Sequence, residues 1–172
     1  MPAASLTIVT SVPTEAGSAE YVGVRALPGR IGLVSRLLGA ALLEMTPAAA
    51  HSGVDVLDCG GGSGTYAVPL AATGCDVTVL DISADALSTL RLRAGEAGVS
   101  GRVHALAGDV ESLHELFPDR LFDAVLAHGI LDAVDDVPGT FAAMAAAVRP
   151  GGLISVLAVS YTHLTLPTIY SV

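Results

Sequence analysis

The residues of this chain best suited to chemistry stand in Val56-Leu57-Asp58-Cys59-Gly60-Gly61-Gly62-Ser63-Gly64-Thr65, a buried-strand pattern running into a glycine cluster. Glycines at 60, 62 and 64 allow positive φ and let a ligand approach a backbone that carries no Cβ. The helix expected beyond the loop offers free N–H groups to a carboxylate or phosphate. The next strand pattern ends at Leu80-Asp81-Ile82, about 20 residues past the loop, where an acid is placed to bind ribose hydroxyls. Capping of the helix opened by Ser83 and Ala84 is the other use for Asp81. A third strand pattern ends at Ala107-Gly108-Asp109-Val110. Asp109 is placed either to accept from an adenine amine, with Ile82 and Val110 packing the ring faces, or to cap the short helix that follows. All three loops fall at the carboxyl ends of strands, where open α/β sheets bind ligands, and together they predict one adenosine-type site.

The elements that must hold these loops follow from the apolar pattern. Short runs at Val54–Leu57, Val77–Leu80, Val103–Leu106, Phe122–Ala127 and Leu153–Val159 read as buried strands. Helical spacing recurs at Tyr66–Ala72, Ala84–Ala97, Val110–Phe117 and Val137–Val148. This alternation predicts parallel βαβ units in a doubly wound α/β sheet. An amphipathic helix precedes them over Ile31–Met45, ended by Pro47. Residues 1–28 read as a poorly ordered arm with a short strand at Leu6–Val9, and 29–159 as the one folded domain.

Composition limits the function. With 172 residues, 52% of them apolar and 15% charged, the chain is a globular domain rather than a disordered or fibrous one. The net charge of −9 argues against DNA binding and disfavours tRNA. No apolar stretch approaches the roughly 18 residues of a membrane span, and no secretory leader pattern is present. Cys59 and Cys75 form no CxxC pair, and His51, His104 and His114 lack metal-ligand spacing, so a cytoplasmic protein without a metal is expected.

Val56 to Gly64 resembles the first motif of class I S-adenosylmethionine-dependent methyltransferases, hydrophobic-Leu-Asp-x-Gly-x-Gly-x-Gly. Asp81 resembles that family's second-strand acid, and Gly108-Asp109-Val110 its adenine-contacting segment. Phe122-Asp123-Ala124-Val125 and Arg149-Pro150-Gly151-Gly152 resemble its fourth strand and the turn before its fifth. The resemblance implies a Rossmann-like sheet, S-adenosylmethionine as cofactor, and methyl transfer to an acceptor that is a small molecule or a modified tRNA uridine. It implies that Asp58, Gly60, Gly61, Gly62, Gly64, Asp81, Ile82, Gly108, Asp109, Val110 and His128 bind the cofactor, with Asp58 meeting the methionine ammonium. His128, ending the fourth strand, is also the candidate catalytic residue: it touches the methionine carboxylate, binds the acceptor or acts as base.

The stretch His128-Gly129-Ile130-Leu131-Asp132 is similar to one in the tRNA 5-carboxymethoxyuridine methyltransferases, although Ala133 stands where they carry tryptophan. In the resembled family an antiparallel hairpin follows the fifth strand. Here that strand runs into Ser160–Val172, which resembles a translated sequencing adapter. The domain is therefore expected to be truncated, with an unpaired, aggregation-prone outer edge. The competing readings are an NAD-dependent dehydrogenase, using Gly62-Ser63-Gly64-Thr65-Tyr66-Ala67 as G-x-G-x-x-A, and a non-catalytic cofactor-binding fragment. The first starts the pattern late and puts Asp58 where a dinucleotide fold has an apolar strand end.

Overall fold

The computed structural model describes residues 5–9, 21–25, 38–42 and 53–158. In chain order these give β1 (Ser5–Val9), β2 (Tyr21–Arg25), α1 (38–42), β3 (Asp55–Cys59), α2 (Ala67–Ala72), β4 (Asp76–Asp81) and α3 (Ala84–Glu96). There follow β5 (Val103–Ala107), a 3-10 turn at Val110–Ser112 leading into α4 (Leu113–Leu116), β6 (Phe122–His128), α5 (Val137–Ala146) and β7 (Val148–Ala158). One sheet runs in the order β2-β1-β7-β6-β3-β4-β5. Strands β3 to β7 are parallel, with β1 and β2 antiparallel at one edge.

The apolar runs are continuous because the central strands are covered on both faces. Val56, Val77 and Leu126 pack with Leu70 of α2 and with Leu87 and Leu90 of α3. On the opposite face Leu57, Val125 and Ile154 pack with Leu113 of α4 and Met144 of α5. This is the doubly wound, Rossmann-like arrangement that the alternation predicts. The direction of winding reverses at β3, whose neighbours are β4 and β6, so the loop after β3 sits at the switch point where such sheets bind ligands.

Three expectations need correction. First, the outer edge of β7 is not bare: β1 pairs along it, from Ser5 opposite Ala158 to Val9 opposite Ile154, and β2 pairs with β1. An apolar strand edge gains a hydrogen-bonded partner wherever the chain can supply one, and here the segment read as a poorly ordered arm supplies it. Second, Arg149-Pro150-Gly151-Gly152 is not a turn before β7 but an irregularity inside it. Phe122 pairs with Val148, and Ala124 already pairs with Leu153. The Arg149–Asp123 ion pair pins the displaced segment. Third, the helical pattern at Val110–Phe117 splits into a 3-10 turn and a single α turn. Outside the described residues lie most of the Ile31–Met45 helix, the rest of the arm and the whole tail.

The amino ends of the strands are held by charge. Arg120 forks onto Asp55 (Nη2 to Oδ2, 2.9 Å) and lies 4.6 Å over the Phe122 ring, while the Asp55 N–H donates to Asp123 Oδ2 at 2.6 Å. Arg120→Ala is expected to cost about 1 kcal/mol, summing a half-exposed ion pair and a cation–π contact. Urea midpoints at low and high salt check this. The ionic share should fade with salt, and the ring-stacking share should remain.

Candidate functional site

The loop after β3 is built as an extension of the sheet. The Gly60 N–H donates to the Leu80 carbonyl at 2.8 Å, the Gly64 N–H to Gly61 at 2.9 Å, and the Val68 N–H to Gly64 at 3.1 Å, which starts α2. Helix α2 is only six residues long. It is too short for the anion seat that the sequence predicts at its start, because few peptide dipoles align there. Gly62 (φ +54°) and Gly64 (φ +79°) hold left-handed conformations for different reasons. A Cβ at Gly64 would overlap Leu90 Cδ1 in the core, whereas one at Gly62 would meet only Asp81 Oδ2, at 3.7 Å. Gly64 is required by packing; Gly62 leaves space open beside an acid.

Asp81 joins the loop to β4. Its Oδ2 accepts the Gly62 N–H at 2.9 Å, and its Oδ1 accepts the Ser83 N–H at 2.8 Å. The cap of α3 is Ser83, whose hydroxyl accepts from the Ala86 N–H, so Asp81 does not fill the capping role weighed for it. Asp109 does cap: its side chain accepts from the Glu111 N–H at 3.0 Å.

A cavity of about 180 Å³ opens at this carboxyl edge of the sheet. Six of the residues read from the sequence line it, from three strand ends: Gly60, Asp81, Ile82, Gly108, Asp109 and Val110. Ile82 is 79% exposed, a large apolar side chain left beside the opening, while Val110 is buried in its wall. Leu80, Glu111, Ile130, Ala133, Val134 and Asp135 complete the lining, and none of them is read as a site residue from the sequence, where Asp135 reads as a solvated acid at a helix start. The signal for Ile130 to Asp135 was only their position after β6, at the same edge. Gly61, Gly62, Gly64, Asp58 and His128 are not in the lining. A larger, more open groove of about 680 Å³ lies at the amino end of the sheet. There Arg102 is already bound to the Gly74 carbonyl and to Asp76, and strand amino ends are not where such folds bind ligands.

Asp58 is the buried acid of the site. It has no exposed surface, and neither carboxylate oxygen has a hydrogen-bond partner among the described residues. Gly61 stands so close that a Cβ there would overlap Asp58 Oδ2. Burial, and then the charge of Asp81, pushes its carboxyl up to about 7. Such an unpaired buried acid is suited to receive a cation. Cys59 beside it is also fully buried, and burial pushes its thiol up, which makes it a poor nucleophile.

His128 ends β6, and burial pulls its imidazole down to about 4. Nε2 lies 2.9 Å from Ser155 Oγ, Nδ1 is buried without a hydrogen-bond partner among the described residues, and the Tyr66 ring meets the imidazole edge-on at 4.4 Å. An imidazole that stays neutral under these conditions is a weak base. Ser155 and Tyr66 were not read from the sequence. Among the described residues no three His, Cys, Asp or Glu side chains gather as a metal site, and no helix is long and apolar enough to cross a membrane.

Comparison with known proteins supplies the context. The family model for a methyltransferase domain matches residues 56–152. The chain is 36% identical over 107 residues to the ubiquinone biosynthesis O-methyltransferase of Methylocella silvestris, covering 59% of this chain and 38% of that protein. It is 33% identical over 123 residues to the tRNA 5-carboxymethoxyuridine methyltransferase of Escherichia coli K12, covering 70% of this chain and 44% of that protein. The chain thus spans about two fifths of the length of these curated relatives. Among solved structures, a SAM-dependent methyltransferase from Geobacter sulfurreducens in complex with S-adenosyl-L-homocysteine superposes with a TM-score of 0.59 at 31% identity, over 71% of this chain and 46% of that one.

Proposed function

This chain belongs to the methyltransferase domain family, and we propose that it binds S-adenosylmethionine at the carboxyl edge of its sheet and serves methyl transfer to a small-molecule acceptor. One observation carries the reading: residues from the ends of β3, β4 and β5 that the sequence marks for an adenosine-type ligand line a single cavity. The chain's own groups fit the cofactor part by part. Asp81 would take the ribose hydroxyls, Asp109 the adenine amine, Ile82 and Val110 the ring faces, and Asp58, buried and without a hydrogen-bond partner among the described residues, the methionine ammonium. When bound, the sulfonium supplies an already activated methyl group, so the hard chemistry belongs to the cofactor. What remains for the protein is to orient cofactor and acceptor and to keep water out.

The relatives are named for ubiquinone biosynthesis and for tRNA. Asp81, Asp109, Glu111 and Asp135 around the cavity, in a chain of net charge −9, support the small molecule over the polyanion. Two free, buried cysteines suit a reducing cytoplasm.

Calorimetry with S-adenosylmethionine and with NAD tests the reading. Micromolar binding of the first and none of the second is expected; the reverse would establish the dehydrogenase. Methyl transfer by a full-length version separates an enzyme from a cofactor-binding module. Asp81→Ala should weaken S-adenosylmethionine by roughly 1.5–3 kcal/mol, because charge-assisted bonds to the ribose are lost. Circular dichroism should show the secondary structure kept. An unchanged affinity would reduce Asp81 to a tie between Gly62 and Ser83.

A further inference from the structure

Helix α3 holds Asp81 at its start and the glycine loop at two points further along. The Ser83 N–H, capping α3, donates to Asp81 Oδ1 at 2.8 Å. About two turns on, Leu90 packs so close to Gly64 that a Cβ there would overlap it. Arg93, three residues later on the same face, reaches the loop itself. Half-buried, it donates from Nη1 to the Ser63 carbonyl at 2.9 Å and to the Ser63 hydroxyl at 3.2 Å. Gly62, next to Ser63, donates its N–H to Asp81 Oδ2 at 2.9 Å. The contacts close a ring from Asp81 through Ser83, α3, Arg93, Ser63 and Gly62 back to Asp81.

We propose that Arg93 is a positioning residue: by holding Ser63 it keeps the Gly62 N–H on Asp81, and so fixes the carboxylate that meets the ligand. An ionised carboxylate offers about four lone pairs on its two oxygens. Gly62 and Ser83 take one on each oxygen, which leaves one on each for a pair of neighbouring hydroxyls such as ribose carries. Arg93 is not in the cavity lining and acts through the loop. Without it the Ser63 carbonyl loses a charge-assisted partner, and the loop is left with the apolar contact of Gly64 on Leu90. Charge alone works the other way. S-adenosylmethionine carries a sulfonium and an ammonium against one carboxylate, so removing a nearby cation should tighten its binding. Weaker binding after loss of Arg93 is therefore the signature of lost position. The identity of the ligand rests on the function proposed above; the tie between α3 and the loop does not.

The test uses the whole 172-residue chain. NMR reads amide hydrogen exchange in the ligand-free protein, and calorimetry gives the affinity for S-adenosylmethionine. Arg93→Met keeps the aliphatic stem and removes the charge and the donors. It should speed exchange at the Gly62 amide by at least about tenfold, leave the β3 amides unchanged, and weaken S-adenosylmethionine by about five-fold. Arg91→Met removes the same charge from the same helix, at a guanidinium that meets the Ala105 carbonyl at 3.5 Å. It should leave Gly62 exchange unchanged and binding no weaker. In an Asp81→Ala background, Arg93→Met should cost no further affinity, because the carboxylate it orients is gone. Unchanged Gly62 exchange in Arg93→Met, an equal loss of affinity in Arg91→Met, or the full loss on top of Asp81→Ala overturns the proposal. Faster exchange with unchanged or tighter binding overturns its ligand half. Wild-type chain that binds no S-adenosylmethionine defeats the proposed function, and the exchange data then decide the tie between α3 and the loop. Should Arg93→Met not fold, Arg93→Gln, polar but too short to reach Ser63, is read by the same criteria. Rapid exchange of the Arg93 guanidinium protons in the wild type overturns the proposal by itself.

Discussion

Gly62→Val is expected to lower the affinity for S-adenosylmethionine by at least about 100-fold, roughly 2.7 kcal/mol, while the protein still folds. The argument rests on where the new atoms go. At Gly62 a Cβ meets no protein atom except Asp81 Oδ2, at 3.7 Å. It would therefore stand beside Asp81, the acid proposed to hold the ribose, and crowd a ligand bound to that carboxylate. The left-handed backbone at φ +54° adds a conformational cost of roughly 1–2 kcal/mol for any L side chain, and a β-branched one tolerates it least. Gly64→Val is the contrasting change. Its Cβ would overlap Leu90, a fully buried core residue, so its first effect should be on folding. Calorimetric affinity and melting temperature, measured on both variants, separate the two. Near-normal binding by folded Gly62→Val would show that the loop is only a turn.

The same two glycines show what the sequence discloses. Both are marked by spacing within one motif, and the cavity residues Asp81 and Gly108-Asp109-Val110 are legible because each follows directly from a strand pattern. The separate tasks of Gly62 and Gly64 are not legible, because they depend on Leu90, a helix away in the chain. His128 is the stronger case. Its place at the end of β6 follows from the apolar run Phe122 to Ala127, but the hydroxyl it meets belongs to Ser155, 27 residues on. Only the parallel register of β6 with β7, interrupted between Val148 and Leu153, brings the two together. The pairing of β1 with β7 is hidden in the same way. Local pattern reveals a strand at Leu6–Val9 and gives no information about a partner near the far end of the chain. Asp58 stands between these cases: its position is legible, and its lack of a hydrogen-bond partner among the described residues is not.

That isolation leads to the second large effect. Asp58 is held at about 7 against an ordinary value of 3.8. An ammonium group placed beside it would favour the ionised form and lower that value, so binding should release a proton. Affinity for S-adenosylmethionine should then rise with pH by up to about tenfold per unit as pH climbs toward 7, and level off above it. Asp58→Asn should bind weakly and show no such slope. Stability of the ligand-free chain should move the other way. The raised carboxyl means that the folded state holds a proton that the unfolded state has lost, so the destabilisation is absent below about 4 and complete above about 7. At pH 8, Asp58→Asn should therefore be the more stable protein, by on the order of 4 kcal/mol. His128 works in the opposite sense: with its imidazole lowered to about 4, it weakens the fold as pH falls from 6.5 toward 4. The two slopes offset one another in the wild type across that window. Asp58→Asn should uncover the histidine slope alone, losing stability on acidification where the wild type stays nearly level. Denaturant midpoints from pH 4 to 8, with calorimetry from pH 5.5 to 7.5, measure both effects. A wild-type affinity as flat as that of Asp58→Asn would remove Asp58 from the ammonium site.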